Sequence, residues 1–465
     1  METGIQQQSR EKIIRLLAFT LVISVMSATM FNIVLPEISA DYHLSYSQVS
    51  WVSSAFLLIY AIGTVIYGKL ADSYKLKNLL TFGLIFFALG SMIGLAFQDY
   101  WMVLLGRILQ AMGAAVIPAT ASIIPVRYFP PESRGRALGI SMTGLAIGSA
   151  LGPVVAALMV SVFHWRWLFC MPLLTLFTLP YYRKYLVEEI GKKEKIDWIG
   201  GGLLAGTIAL LLLAITNNSL LSGTGCLFLF VLFLVRIRSI KEPFIKPELF
   251  RNKGYSLGLI IAFLATGVGY SLPFLSPQLL SDVNHLAPGL VGFAMVPAAV
   301  ATAFLGRKGG KLADVKGNSF LLYMASILLL ICFVLLSSFA GISPLFIAFF
   351  LVFGNVGQSF LYIALSNSIS QTLPKDQSGV GMGLLAMLNF LAGAVSAGIY
   401  SKVVDQGANF HWNPINFHRD AFVYSNIYIV LVILHVCILL LYYFQFGKAE
   451  RKSKYTKKLN HELNT

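Results

Sequence analysis

The side chains with the most chemistry to offer stand where they are most costly. Arg107 lies inside the apolar stretch LLGRILQAMGAAVIPA, with Gln110 one turn on and Gly113 another, on the same helical face. A guanidinium within an apolar segment is expensive enough to mark a functional position by default. The plainer alternative is an Arg that binds the carbonyls of a neighbouring helix and only holds a bundle together. Two aspartates recur in matching settings. GKLADSYKLKNLL carries Gly68, Asp72 and Lys77, and GGKLADVKGN carries Gly310 and Asp314. An Asp at a helix end beside Lys can form a charge relay that locks one conformation; an ordinary solvated turn is the alternative. Two near copies of one loop in a single chain are an internal repeat, the mark of a two-bundle transporter.

Other chemistries are excluded. Cys170, Cys226, Cys332 and Cys437 are isolated in apolar segments, with neither metal-ligand spacing nor a paired framework. His411 and His418 share a long loop, 402–423, with Trp412 and Asp420 but have no third ligand nearby, and His435 is alone in its segment. No nucleophile–base set, metal cluster or phosphate loop is visible, so an enzyme is disfavoured and no metal or cofactor is expected.

The elements that position these residues are membrane helices. Of 465 residues, 57% are hydrophobic and 12% charged, a composition foreign to soluble proteins of this size. A bilayer-spanning helix needs roughly 20 apolar residues. Fourteen segments qualify, near 13–35, 49–69, 78–97, 101–126, 136–160, 166–186, 197–216, 219–237, 255–280, 287–306, 318–339, 343–370, 378–401 and 424–446. The net charge of +15 does not indicate a nucleic-acid partner, because 31 of the 35 Lys and Arg fall in the termini and alternate loops. The exceptions are Arg107, Arg166, Lys402 and Arg419. This bias places both termini in the cytoplasm and predicts a multi-pass cell-membrane protein, with its basic loops against anionic lipid. Residues 1–11 are polar and expected to be loose, and Pro36 with Glu37 marks the exit from the first helix. The expected division is an N-terminal six-helix bundle (1–187), two linking helices (188–246), a C-terminal six-helix bundle (247–446) and a basic cytoplasmic tail (447–465). The chain is read as a monomer.

Gly139 to Ala157, GISMTGLAIGSALGPVVAA, is apolar yet rich in glycine. Gly144, Gly148 and Gly152 recur every four residues and Ala156 continues the row, so one face lets another helix approach closely. Gly139, Gly148 and the Gly152-Pro153 pair together resemble the fifth-helix signature of drug exporters in the major facilitator superfamily, with Ala156-Ala157 where that family closes on Gly-Gly. The two Gly-x-Leu-Ala-Asp loops resemble its loop motif, with Ser73 and Val315 where Arg is usual. Arg107, Gln110 and Gly113 resemble its helix-four motif. The 6+2+6 division resembles the fourteen-helix drug:proton antiporters. Asn32 with Leu35-Pro36, Trp51 to Phe56, Ile62 to Asp72 and Leu388 to Phe390 resemble the class K and class L tetracycline efflux proteins of Gram-positive bacteria.

The resemblance implies an all-α integral membrane protein of the major facilitator fold that exports drugs or hydrophobic metabolites by proton antiport, as in antibiotic resistance. It also implies a coupling role for Arg107. Ala28, Ser149 and Ser396 stand where the tetracycline exporters carry acidic residues, which disfavours tetracycline and a bare cation and favours a neutral, zwitterionic or anionic amphiphile. The alternative is a facilitator or anion exporter not coupled to protons. Asn32, Gln358, Tyr362, Asn389 and Ser396 are candidates for a central cavity, as are Gln278, Asn355 and Asn367. The HWRWLF stretch, 164–169, reads as an interface anchor. The expected mechanism is alternating access, in which the helix-five glycine face closes the bundle interface and the two Asp loops latch the cytoplasmic side.

Overall fold

The computed structural model describes residues 2–44, 46–49, 51–160, 162–186, 197–217, 219–286, 288–374, 377–408 and 410–447. The charged break at 187–196, Lys375 and the basic tail from Lys448 lie outside the described residues.

Helix α1 (Glu2–Asp41) runs further at both ends than its apolar core predicts. The polar start is helical, not loose, and Glu11 there pairs with Arg15 one turn on and with Arg136 of a distant segment. Pro36 does not end the helix, since membrane helices tolerate proline where neighbours re-satisfy the freed backbone. The following spans are α2 (Trp51–Ser73), α3 (Leu76–Ala96), α4 (Tyr100–Tyr128) and α5 (Arg134–Val160).

The sixth span is built differently. It is a 3₁₀ helix over Trp165–Thr178 continued by an α-helix over Leu179–Tyr185, together called α6. In a 3₁₀ helix residues three apart eclipse. Trp165, Leu168, Pro172, Thr175 and Thr178 are buried along one edge, while Trp167, Leu174 and Phe177 are exposed along another. Thr175 and Thr178 donate their hydroxyls three residues back, to Pro172 O and Thr175 O. At about 2.0 Å per 3₁₀ residue and 1.5 Å per α residue the segment reaches roughly 38 Å, enough to cross a bilayer core.

The chain continues through α7 (Trp198–Asn217), α8 (Leu220–Ser239), α9 (Lys253–Asp282), α10 (Pro288–Lys316), α11 (Asn318–Phe339), α12 (Pro344–Ser370), α13 (Ser378–Gln406) and α14 (Phe422–Tyr442). With α6, that makes fourteen helical segments of membrane length, and no strand occurs among the described residues.

The first six helices pack chiefly on one another, through α1 on α5, α3 on α4 and α3 on α6. The last six do the same, through α11 on α12, α10 on α12, α11 on α14 and α9 on α13. Helices α7 and α8 pair mainly with each other, and α7 touches α2 and α13. Their open end is tied by Asp197, which caps Gly200 N at 3.0 Å and meets Arg236 at 3.0 Å. Burial pushes the Asp197 carboxyl up, but the Gly200 N–H and Arg236 outweigh it and hold it below the usual carboxylate range.

The halves join chiefly through α5 against α10 and α2 against α13, with α4 against α13 and α5 against α12 beside them. The glycine row of α5 takes part in only one of them. Gly144 and Gly148 face α1, within their own bundle: an added Cβ would lie 2.5 Å from Ala18 O and 2.6 Å from Val22 O. Gly152 continues against Met26 O at 3.2 Å. Gly139 instead meets Gly306 of α10. The expectation that the whole glycine face closes the bundle interface is therefore corrected: most of it welds α5 to α1. The HWRWLF reading changes as well, because Trp165 is buried and donates its indole N–H to Asp41 at 2.7 Å.

Candidate functional site

The two Gly-x-Leu-Ala-Asp loops lie at the ends of α2 and α10, beside the basic loops, and each grips the other half of the molecule. Asp72 of α2 accepts hydrogen bonds from Gly379 N at 2.8 Å and Val380 N at 2.7 Å, at the first turn of α13. Asp314 of α10 accepts from Gly135 N at 2.7 Å and Arg136 N at 2.8 Å, at the first turn of α5. The unpaired N–H groups and the positive dipole end of a helix N-terminus favour a carboxylate in each place. Close packing allows the reach. A Cβ on Gly68 would lie 2.8 Å from Gly379 O and 2.9 Å from Gly383 Cα, and Gly310 meets the backbone of Gly135. These two caps join the inner ends of the bundles, meaning the ends that carry the Lys- and Arg-rich loops.

The expected cation beside Asp72 was Lys77. The structure supplies Arg127 instead, from the end of α4. Its Nη2 pairs with Asp72, its Nη1 donates to Ala71 O at 2.6 Å, and its Nε donates to Ser378 Oγ at 3.2 Å. One guanidinium thus ties α2, α4 and α13. Arg127, Gly135, Gly379 and Gly383 are site residues the sequence reading missed; the signal was available in the glycine pair that opens each of α5 and α13.

Arg107 is fully buried in the first bundle. It donates to Val52 O at 3.2 Å, Ser27 O at 3.3 Å and Gln110 Oε1 at 2.9 Å, and Gln110 donates on to Ser91 Oγ at 2.7 Å. The guanidinium is sandwiched by Phe31 and Phe56, with ring centroids 4.1 and 4.0 Å from Cζ. Its Nη2 has no hydrogen-bond partner, and no described carboxylate pairs with it. Arg107 therefore cross-links α1, α2 and α4 through carbonyls, with no carboxylate beside it among the described residues.

Of the cavity candidates, the structure brings together Gln358, Tyr362 and Asn389. They line a small polar pocket together with Ala262, Ala265 and Thr266 of α9 and Ser366 of α12. Thr266 donates to Asn389 Oδ1 at 2.9 Å. Tyr362 bonds Ser366, Asn389 and, across the bundle boundary, Ser122 of α4. Tyr60 of α2 meets Phe390 edge-on at 5.2 Å, a second aromatic bridge between the halves. The lining residues of α13 lie roughly 10–16 Å along the helix from its capped start. Ser396 sits beyond the cavity, bonded to Tyr400. Asn32 is exposed on α1 and lies outside the lining. Asn367 and Asn355 serve helix packing, through Asn318 Oδ1 at 2.8 Å and Leu351 O at 3.0 Å.

Two helical bundles with reciprocal inner caps and a polar pocket within the second bundle define a multi-pass membrane transporter. The model of the Major Facilitator Superfamily matches residues 17–397, and the chain belongs to that family. It is 26% identical over 426 residues to the riboflavin transporter RibZ of Clostridioides difficile (strain 630), covering 90% of this chain and 92% of that protein. It is 29% identical over 325 residues to multidrug resistance protein 3 of Bacillus subtilis (strain 168), covering 67% of this chain and 63% of that one. The methylenomycin A resistance protein of the same organism is 25% identical over 293 residues, covering 60% and 63%. In fold, the chain resembles the proton:xylose symporter XylE, with a TM-score of 0.68 at 12% identity over 95% of this chain and 96% of that one. The human organic anion transporter MFSD10 gives 0.65 at 14% over 92% and 99%.

Proposed function

We propose that this chain exports uncharged, aromatic amphiphiles, drugs or hydrophobic metabolites, across the plasma membrane of a bacterium by proton antiport. The cavity carries the reading. Its polar lining consists of amides and hydroxyls, its walls are aromatic and aliphatic, and no ionised group lines it. Such a site suits a molecule that is apolar in bulk with a few hydrogen-bonding atoms, and suits a bare cation or the metal complex of a tetracycline poorly. The similarity to resistance proteins supports export. Alternating access follows from the caps: with both formed the inner end is shut, and releasing both lets the bundles rock about the cavity. A proton carrier must be an ionisable group that the two states see differently. Asp72 and Asp314 meet that condition, because each is capped by backbone N–H groups only while the inner end is shut.

The test is transport by the purified chain in vesicles loaded with a panel of uncharged aromatic compounds, under an imposed pH gradient. Substrate-driven proton movement that a protonophore removes is the expected result. Flux indifferent to the protonophore overturns antiport and favours a facilitator. A second reading has one specific support. The relative named for riboflavin is similar over nearly the full length of both proteins. Inward movement of such a heterocycle down its own gradient is the outcome that would select it.

A further inference from the structure

Within the cavity one polar group is left without a use. Gln358 Oε1 is shut off from solvent and accepts no hydrogen bond. Its neighbours are engaged with one another, Thr266 with Asn389 and Tyr362 with Ser122, Ser366 and Asn389. The carboxamide also has a place made for it. It lies against Gly269 of α9, where any Cβ would collide with its oxygen, carbon and nitrogen alike. Leaving a buried acceptor unmade is costly, about 1–3 kcal/mol, and a native site that does so marks a place for a partner.

We infer that Gln358 is the anchor for an amide-type edge of the substrate, that is, an N–H and a carbonyl side by side on a planar heterocycle. A carboxamide presents one acceptor and one donor in a plane, so it pairs two-pronged with a lactam or imide edge, as Gln and Asn pair with the edge of adenine. This inference rests on the reading of the cavity as the site for uncharged aromatic compounds, and it adds the recognised atoms.

The test uses the full-length chain in detergent or vesicles and two probes with one ring system. Lumiflavin carries an imide N–H between two carbonyls, and 3-methyllumiflavin has that N–H replaced by N–CH₃. Binding to the wild-type chain should favour lumiflavin by about ten- to a hundredfold. Gln358→Met, which keeps length and removes the polar atoms, should lose the preference to within about twofold. An unchanged elution profile and thermal unfolding midpoint show that the variant is folded. Gly269→Ala keeps Gln358 but pushes its carboxamide out of place, and should lower the preference as well. Equal binding of the two probes by the wild type, or an undiminished preference in Gln358→Met, overturns the role of Gln358 and leaves the cavity reading intact. A wild-type chain that binds neither probe overturns both.

Discussion

The two inner caps are copies of one device, yet they are not equally strong. At both, a Gly-x-Leu-Ala-Asp loop on one bundle caps the first turn of a helix on the other. At Asp72 a guanidinium from a third helix joins in, and both partners are largely buried, with side-chain exposures of 7% for Asp72 and 17% for Arg127. At Asp314 the carboxylate accepts from backbone N–H groups, and the nearby positive charge is Arg136, which pairs with Glu11. One residue accounts for much of the difference. The offset that carries Gly135 to Gly379 and Gly139 to Gly383 carries Arg127 to Gln371. A repeat therefore preserves the geometry of a latch while its strength is set by a neighbouring helix. The α2–α13 cap is the one that a buried guanidinium reinforces.

The largest effect is expected from Asp72→Asn. Removing one partner of a buried ion pair costs about 3–5 kcal/mol, so the inner-closed population should fall by at least a hundredfold relative to the open one. Spin labels at the exposed Tyr74 and Val315, one on each bundle, should report a longer distance, and substrate efflux should fall at least tenfold. Arg127→Gln should do nearly as much and should bring the two caps to equal strength. If Asp72→Asn leaves both the label distance and efflux unchanged, the firm latch does not exist.

Asp314→Asn should be milder. Asn caps a helix N-terminus nearly as well as Asp, so the main loss is the charge–dipole term, about 0.3–1 kcal/mol, or roughly two- to fivefold in the same population ratio. An effect equal to that of Asp72→Asn would erase the asymmetry and mean that a further group near Asp314 carries the load.

Much of this arrangement is legible in the sequence, and the parts that are not have physical reasons. Both aspartates and their glycines are read from the repeated loop, and the membrane segments from apolar length. The partners of those aspartates are not, because pairing between segments hundreds of residues apart leaves no local spacing to read. Arg127 looks like one more loop charge until α4 is seen to end beside α2. Gly144, Gly148 and Gly152 read as one face, and helix geometry sets Gly139 apart from it, but neither says which helix each will meet. Gly144 is five residues from Gly139, about 140° around an ideal helix, whereas Gly135 and Gly139 are about 40° apart. The first pair of faces is split between α1 and α10, and the second pair shares α10. Apolar length could not show that α6 begins as a 3₁₀ helix; the three-residue rhythm of Trp165, Leu168, Thr175 and Thr178 could. The cavity was half legible. Polar residues in apolar helices are either lining or packing, and only the contacts separate Gln358 and Asn389 from Asn355 and Asn367.

The smallest predicted effect tests the comparison most directly, because it adds strength rather than removing it. Gln371 is exposed at the end of α12 and stands where the repeat would place a second Arg127. Gln371→Arg should give Asp314 a guanidinium in addition to the nearby charge of Arg136. An exposed or half-buried pair is worth up to about 1 kcal/mol, so the inner-closed population should rise by no more than about fivefold and efflux should slow about twofold, with the label distance between Tyr74 and Val315 shortened on average. The same substitution in an Asp314→Asn background should have no effect, because the added guanidinium then has no carboxylate to meet. Slowing that persists in that background would assign it to the new charge at the inner surface, and the difference between the latches would have to be sought in their glycine packing instead.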